Sequence, residues 1–166
     1  PSQFRNFGLQ QHPIPMSNLI TAEIKTWIGR SEPSVRFDVI RRDIVKYSIA
    51  TEQRQEKYCK GDEAPPMFLF NAHQQLVPIT QLRPDGLTAD PLMPDLPLKR
   101  VMAGGVRIRY HRPIKPGDTL LLTRTLSDIY EKQGRSGPLI FIEYSVTVTT
   151  ETGAPVMEEM RRRIFR

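Results

Sequence analysis

The sequence contains almost no cysteine, because Cys59 is the only one among 166 residues. A single cysteine has no partner for a disulfide within the chain, and a domain of this size buries roughly 70% of its surface without one. Cys59 also lies in a polar stretch with no histidine beside it, which favours an incidental thiol over a catalytic nucleophile. We expect a protein of a reducing compartment, the cytoplasm.

Long apolar runs and signature motifs are absent too. No stretch approaches the ~20 apolar residues of a transmembrane helix, so we expect no membrane span. The sequence holds no phosphate-binding loop, dinucleotide fingerprint or metal-ligand cluster, so we expect no cofactor and no metal. What remains is a composition typical of one globular domain, with 39% hydrophobic and 25% charged residues.

The excess of positive charge lies in the second half of the chain. Residues 1–98 hold 11 basic and 11 acidic residues, whereas residues 99–166 hold 13 and 7, which accounts for the whole net charge of +6. A positive surface attracts nucleic acid, acidic lipid or phosphorylated small molecules. The run from Arg161 to Arg163 resembles a nucleic-acid patch, but it continues into strand-forming residues without an aromatic platform. We therefore expect no nucleic-acid partner.

The N-terminal part of the chain predicts an arm followed by short elements. Residues 1–18 mix aromatic residues with prolines and are typical of an arm, and residues 19–166 are expected to form the domain. Ser17 and Thr21 are both plausible N-caps of a short helix. Alternating apolar residues predict a strand over residues 35–41, after which Asp43 is expected to cap a second helix.

Prolines dominate the middle of the chain. Pro65 and Pro66 are expected to open a central, almost wholly apolar helix over residues 65–77. Arg83-Pro-Asp-Gly86 predicts a turn, and Pro91, Pro94 and Pro97 forbid regular structure up to about Leu98. A loop of this length in one domain is commonly functional or disordered.

From Gly104 onward the pattern predicts strands. Apolar and polar residues alternate in four runs, and the short polar links between them are typical of antiparallel neighbours. The runs cover residues 106–111, 119–130, 140–149 and 156–165. We therefore expect an α+β fold in which one curved antiparallel sheet wraps around one central helix.

Five motifs, in order along the chain, carry a resemblance to a known family. They are Ile24-Lys-Thr-Trp-Ile-Gly29, Arg42-Asp-Ile-Val-Lys-Tyr-Ser48, Gly61-Asp-Glu-Ala-Pro-Pro66, Leu98-Lys-Arg-Val-Met-Ala-Gly-Gly105 and Tyr110-His-Arg-Pro-Ile-Lys-Pro-Gly-Asp118. Together they resemble the N-terminal, FAS1-type half of MaoC-like double hot-dog dehydratases, most closely the mesaconyl-CoA hydratase and type 2 hydroxyacyl-thioester dehydratase group. The resemblance implies a single hot-dog fold and the addition or removal of water at the C2–C3 bond of CoA or acyl-carrier-protein thioesters.

The catalytic members of this family carry an Asp and a His five residues apart, which activate water. In this sequence Glu52 lies near the place of the Asp, and no His follows it. The resemblance therefore implies a non-catalytic, substrate-binding half that works with a catalytic hot-dog subunit or second domain. Two alternatives stay open: a hot-dog thioesterase with Glu52 or Glu56 as base, and a non-enzymatic module that binds an acyl thioester or assembles with a partner.

Candidate substrate-binding residues follow from this assignment. The helix 65–77 and the loop 77–98 are expected to shape the acyl pocket, which His73 on that helix would face, although a lone histidine is commonly a structural residue. Gly104 and Gly105 permit either close approach of a ligand or a tight turn. The basic residues nearby are candidates for phosphate contacts, or ordinary charges of a half-solvated sheet; they are Arg107, Arg109, Arg112 and Lys115.

Overall fold

Five strands form one antiparallel sheet in the structure, a computed structural model that describes residues 18–74 and 76–166. The strands are β1 Val35–Asp38, β2 Val101–Tyr110, β3 Thr119–Gly134, β4 Gly137–Thr150 and β5 Pro155–Phe165. They pair in the order β1-β3-β4-β5-β2. Residues 1–17 of the predicted arm lie outside the described residues. The predicted α+β class and its four late strands are confirmed.

The strands β3 and β4 form a long hairpin because apolar residues occupy alternate positions in both. Their register runs from Leu120 opposite Thr150 to Gly134 opposite Gly137. The chain passes from β4 to β5 through a tight turn at Gly153, whose φ of 84° lies in the left-handed region. The other edge of the sheet is β2, which pairs only with β5 in the described part of the chain.

The helices are short and precede the meander. They are α1 Ala22–Lys25, α2 Arg41–Ala50, α3 Glu56–Cys59 and a 3-10 helix Ile79–Gln81. Of the two N-cap candidates, Thr21 caps the first helix, since its side-chain oxygen accepts a bond from the Ile24 N–H at 3.2 Å. Ser17 lies outside the described residues. The prediction that Asp43 caps the second helix is wrong. Helix α2 begins two residues earlier, with Ile40 at the N-cap, and Asp43 lies in its first turn.

The predicted central helix over residues 65–77 is wrong. Residues 65–74 form successive turns, each closed by a hydrogen bond between residues three apart, such as Phe68 N–H to Pro65 C=O. Met67 and Asn71 have φ values of 67° and 66°, which interrupt the hydrogen-bond ladder of an α-helix. Helix α2 instead packs a buried face on the sheet.

The face of the sheet that packs against α2, here called the inner face, carries two apolar clusters. The first surrounds Ile44 of α2 and includes Leu122 and Val146. The second includes Leu126 and Ile142 and is covered by α1 and by the loop 77–98. Both clusters use the same alternate positions of β3 and β4, so they are neighbours on one face.

Candidate functional site

A strip of polar side chains crosses the inner face between the two apolar clusters. Arg124 lies on the same face of β3 as Leu122 and Leu126, because alternate side chains share a face. On β5, every second side chain from Met157 to Phe165 lies on this same inner face. The polar belt is defined as the residues that occupy this strip or cover it: Glu32, His73, Asp90, Arg124, Tyr144, Glu159, Arg161 and Arg163.

Arg124 is the centre of the polar belt. Its Nε and Nη2 atoms donate to the two carboxylate oxygens of Glu32, both at 2.8 Å, and Nη2 also donates to Asp90 at 2.6 Å. Only 7% of the Arg124 side chain is exposed. Its guanidinium carbon lies 4.9 Å from the centroid of the Tyr144 ring. Both carboxylates are largely buried, and Arg124 is the cation that they share.

Asp90 links the arginines of β3 and β5. It accepts hydrogen bonds from Arg124, from Arg163 Nη1 at 2.8 Å and from the backbone N–H of Leu92 at 3.0 Å. Burial alone would raise the pKa of the Asp90 carboxyl. The hydrogen bonds from Arg124 and Leu92 and the positive charges of the arginines outweigh burial and lower that pKa. Asp90 is therefore ionised at neutral pH and holds the loop 77–98 on the sheet.

Arg161 connects the polar belt to the segment 65–74. Its Nε donates to Glu159 at 2.7 Å, and its Nη1 donates to the side-chain oxygen of Asn71. The ring of Phe70 lies over the guanidinium, with its centroid 4.0 Å from the guanidinium carbon. These contacts fasten the segment to β5.

His73 lies buried in the same segment and is 5% exposed. Among the described residues, its Nε2 atom has no hydrogen-bond partner. Burial lowers the pKa of the His73 imidazole to about 4. The positive charges of Arg124, Arg161 and Arg163 act in the same direction, and the carboxylate of Asp90 opposes them. The imidazole is therefore neutral at neutral pH.

Arg107 and Arg109 lie on the outer face of β2, away from the polar belt. They stand opposite Met160 and Glu158 in the register with β5, whereas the belt uses the alternate positions. Both arginines line an open depression of about 290 Å³ with Glu158 and other residues. The structure does not bring these two candidates together with His73.

Arg112 and Lys115 belong to the turn that leads into β3. Arg112 donates two hydrogen bonds to Asp118, at 2.8 and 3.0 Å, and the backbone N–H of Lys115 donates to the same carboxylate at 2.9 Å. Burial alone would raise the pKa of Asp118, but these bonds outweigh it and lower that pKa. The Arg112 guanidinium is thus engaged in an ion pair within its own turn.

Gly104 and Gly105 form a β-bulge in β2, where the register shifts between Ala103 and Val106. Gly105 has a φ of 104°, which disfavours any other residue there. A Cβ on Gly104 would lie only 2.8 Å from the Cγ of Arg162. The close approach at Gly104 is therefore to the neighbouring strand of the same chain.

The sequence did not indicate the acidic partners of Arg124. A partial signal exists, because Arg124 occupies an inward position in an otherwise apolar alternation of β3. Glu32 and Asp90 lie in loops 92 and 34 residues away, and no periodicity relates them to Arg124. All three meet only once the sheet and the loop 77–98 have come together.

The acidic residues of the polar belt pair with arginines and do not form a metal site. Within the described ranges, no group of three His, Cys, Asp or Glu side chains is placed to hold a metal ion. No helix in that part of the chain is long and apolar enough to cross a membrane. The site thus offers hydrogen bonding and electrostatics from protein side chains.

Comparisons with known proteins agree with this architecture. A family model described as the FAS1-like dehydratase domain region matches residues 26–159. The mesaconyl-C(4)-CoA hydratase of Chloroflexus aurantiacus is 29% identical over 123 residues, which are 74% of this chain and 44% of that protein. The chain therefore spans less than half the length of this curated relative.

Two solved structures from Mycobacterium tuberculosis share the fold at low identity. A chain of the ChsH1-ChsH2 complex has a TM-score of 0.61 at 20% identity, and the match covers 87% of this chain and 92% of that one. A chain of the HadBC (3R-hydroxyacyl-ACP dehydratase) complex has a TM-score of 0.55 at 16% identity, covering 82% and 96%. With the family match over most of its length, the chain belongs to the family described as the FAS1-like dehydratase domain region, and it shares its hot-dog fold with solved MaoC-like dehydratases.

Proposed function

We propose that this chain is the substrate-binding, non-catalytic half of an acyl-thioester hydratase or 3-hydroxyacyl dehydratase that works with a catalytic hot-dog partner. The observation that carries the proposal lies after α2, where the water-activating pair of the family would stand. The chain turns at Glu52, with a φ of 53°, and the five residues that follow contain no histidine. Hydration needs a proton acceptor and a proton donor held together, and Glu52 alone supplies only one group.

The proposed substrate is an acyl thioester of CoA or acyl carrier protein. The relative from Chloroflexus aurantiacus is named for a CoA thioester, and one fold neighbour is named for an acyl-carrier-protein thioester. The segment 65–74 and the loop 77–98 would shape the acyl pocket, since both cover the inner face. The predicted substrate-binding residues His73, Gly104, Gly105, Arg107, Arg109 and Arg112 remain part of this proposal.

The edge of β2 is the surface that we propose for the catalytic partner. Val101, Val106 and Tyr110 are exposed large side chains on this strand. An unpaired strand edge is a template for pairing with another sheet. The ChsH1-ChsH2 neighbour is itself a complex of two different chains. Because Val106 stands opposite Arg161 in the register with β5, a partner paired here would also approach the polar belt.

The proposal needs no cofactor, because adding water to the C2–C3 bond of an enoyl thioester requires only acid–base chemistry. It also places the protein in the cytoplasm. Cys59 is an exposed free thiol, which suits a reducing compartment.

Co-expression with a catalytic hot-dog subunit tests this division of labour. One variant replaces the water-activating histidine of the partner with alanine, and matched variants of this chain carry Glu52→Gln or Glu56→Gln. We expect enoyl-CoA hydration to fall by roughly 10²–10⁴-fold in the first and to stay unchanged in the others. A comparable fall in E52Q or E56Q would overturn the proposal. Thioester hydrolysis that depends on either Glu would support the thioesterase, and binding without turnover in every combination would support the binding module.

A further inference from the structure

An apolar row crosses the outer face of the sheet, which is the face opposite α2. The members of this outer row are cross-strand neighbours in four strands: Tyr130 of β3, Phe141 of β4, Ile164 of β5 and Met102 of β2. The rings of Tyr130 and Phe141 stack with their centroids 5.1 Å apart. Met102 is 37% exposed, whereas Ile140 and Ile142 on the inner face are fully buried. Because α2 and the loop 77–98 cover the inner face, the outer row forms an apolar strip at the surface, which is typical of a protein contact.

Charges of opposite sign flank the outer row along the strands. On the side of the β3–β4 turn, the Lys132 Nζ atom lies 5.2 Å from the centroid of the Tyr130 ring. On the other side, Asp128 stands opposite Glu143 in the register of β3 and β4. Glu143 already forms an ion pair with Arg162. Within the described part of the chain, neither Lys132 nor Asp128 has an ion-pair partner. A positive charge therefore stays unpaired on one side of the row, and a negative charge on the other.

This order of charges fits a second copy of the same sheet. In a two-fold dimer the same patch lies on both copies, so the patch must be complementary to itself. A two-fold axis that runs along the outer row, across the strands, reverses the strand direction of the second copy and places each strand over its own counterpart. The two outer rows then meet, and Lys132 of each copy lies over Asp128 of the other. An axis parallel to the strands would instead bring the two copies of Lys132 together, which like charges oppose.

The size of the outer face suits a reversible dimer. Neighbouring strands lie about 4.8 Å apart and a strand rises about 3.4 Å per residue, so the face between Thr125 and the β3–β4 turn measures roughly 19 by 30 Å. Two such faces bury roughly 1,100 Å² together, slightly more than the ~1,000 Å² that a specific interface needs. The outer row lies midway between Thr125 and the turn, and therefore at the centre of the contact.

We propose that the outer face is a two-fold interface between two copies of this chain, with the outer rows packed at its centre and two reciprocal Lys132–Asp128 ion pairs beside them. An apolar centre with charges around it is the usual anatomy of a protein interface. The inference goes beyond the proposed function and does not rest on it, because the contact leaves the inner face and the unpaired edge of β2 free. An assembly with a catalytic hot-dog partner on that edge would then contain two copies of each chain.

Charge reversal tests the reciprocal pairing. Sedimentation velocity and native mass spectrometry of the full chain measure the dimer against concentration, and circular dichroism checks that each variant is folded. We expect Lys132→Glu and Asp128→Lys each to raise the dimer Kd at least about tenfold, because each places like charges face to face twice. The double variant K132E/D128K restores opposite charges and should return the Kd to within about threefold of the wild-type value. Lys46→Glu on α2 makes the same charge change at an exposed position away from the contact and should have no effect.

Val106→Lys separates the outer face from the edge of β2. We expect V106K to keep the dimer, whereas a dimer built by pairing of two β2 edges would be lost. A wild-type chain that stays monomeric up to about 0.1 mM overturns the proposal and leaves the outer row to a different protein or to a membrane surface. A double variant K132E/D128K that fails to recover the dimer lost in the single variants overturns it as well, because reciprocal pairing requires that recovery.

Discussion

Arg124 is a buried arginine of the inner face, and it pairs with both Glu32 and Asp90. Removing it leaves the largely buried carboxylate of Glu32 without the cation that it pairs with, whereas Asp90 keeps its ion pair with Arg163. A buried pair broken from one side typically costs 3–5 kcal/mol. We therefore expect Arg124→Met to lower the free energy of unfolding by about 3–5 kcal/mol in urea denaturation.

Arg36 provides the control for this variant. It forms ion pairs with Asp38 and Glu151 at the surface, where its side chain is 60% exposed. Exposed pairs contribute about 0–1 kcal/mol. Arg36→Met should therefore change the free energy of unfolding by less than about 1 kcal/mol. Equal losses of stability in R36M and R124M would show that burial of the Arg124 ion pairs is unimportant.

The buried imidazole of His73 makes stability depend on pH. Its pKa is 6.5 in a model compound and about 4 in the folded chain. Between these values the unfolded chain binds a proton that the folded chain does not, so stability is highest above pH 6.5 and falls as the pH drops toward 4. The fall attributable to His73 is on the order of 3 kcal/mol.

Urea denaturation across this pH range measures the effect. The variant His73→Gln should lose less stability on acidification than the wild-type chain, because glutamine does not titrate. His111→Gln serves as the control, since His111 lies outside the polar belt and pairs with Glu158. Identical pH dependence in the wild-type chain and in H73Q would contradict the burial of a neutral imidazole.

Among the elements, strands were predictable from the sequence and the segment 65–74 was not. Alternation in β4 and β5 reflects a repeating local rule, which a half-buried strand obeys at every second residue. The apolar run after Pro66 has the composition of a core helix, although the segment forms successive turns. The observed path of this segment depends on the left-handed backbone of Met67 and Asn71. The Met67 N–H donates to the Tyr110 hydroxyl, and Arg161 donates to the Asn71 side chain.

The left-handed conformation of Met67 is a test of that path. A non-glycine residue in this region costs roughly 1–2 kcal/mol, and glycine does not incur the cost. We expect Met67→Gly to be more stable than Met67→Ala by about 1 kcal/mol in thermal or urea unfolding. If the segment were helical, M67A would be the more stable of the two, by about the same amount.

For the whole molecule, the polar belt explains why the site was only partly predictable. His73 and the basic run at Arg161 were visible in the sequence. Their acidic neighbours Glu32, which precedes β1, and Asp90, in the loop 77–98, lie far from them along the chain. The ion pairs form only between elements that the sheet has already brought together. Composition and charge placed the positive residues correctly in the second half and could not show that several of them are buried.

The exposed edge of β2 predicts how the molecule assembles. We expect Val106→Lys to weaken the complex with the catalytic partner, because a charge at an unpaired edge opposes strand pairing. Ile49→Lys makes the same change on the exposed side of α2, where no contact is proposed. Native mass spectrometry of the two complexes measures the difference. Equal complex formation by V106K and I49K would exclude β2 as the contact surface.

The division of labour between two hot-dog units is the central claim for the whole molecule. The most direct measurement is the rate of enoyl-CoA hydration by the purified chain alone and after addition of its catalytic partner. We expect the chain alone to give no rate above that of buffer, and the complex to turn the substrate over. Hydration by the chain alone at a rate comparable to that of the complex would contradict the claim.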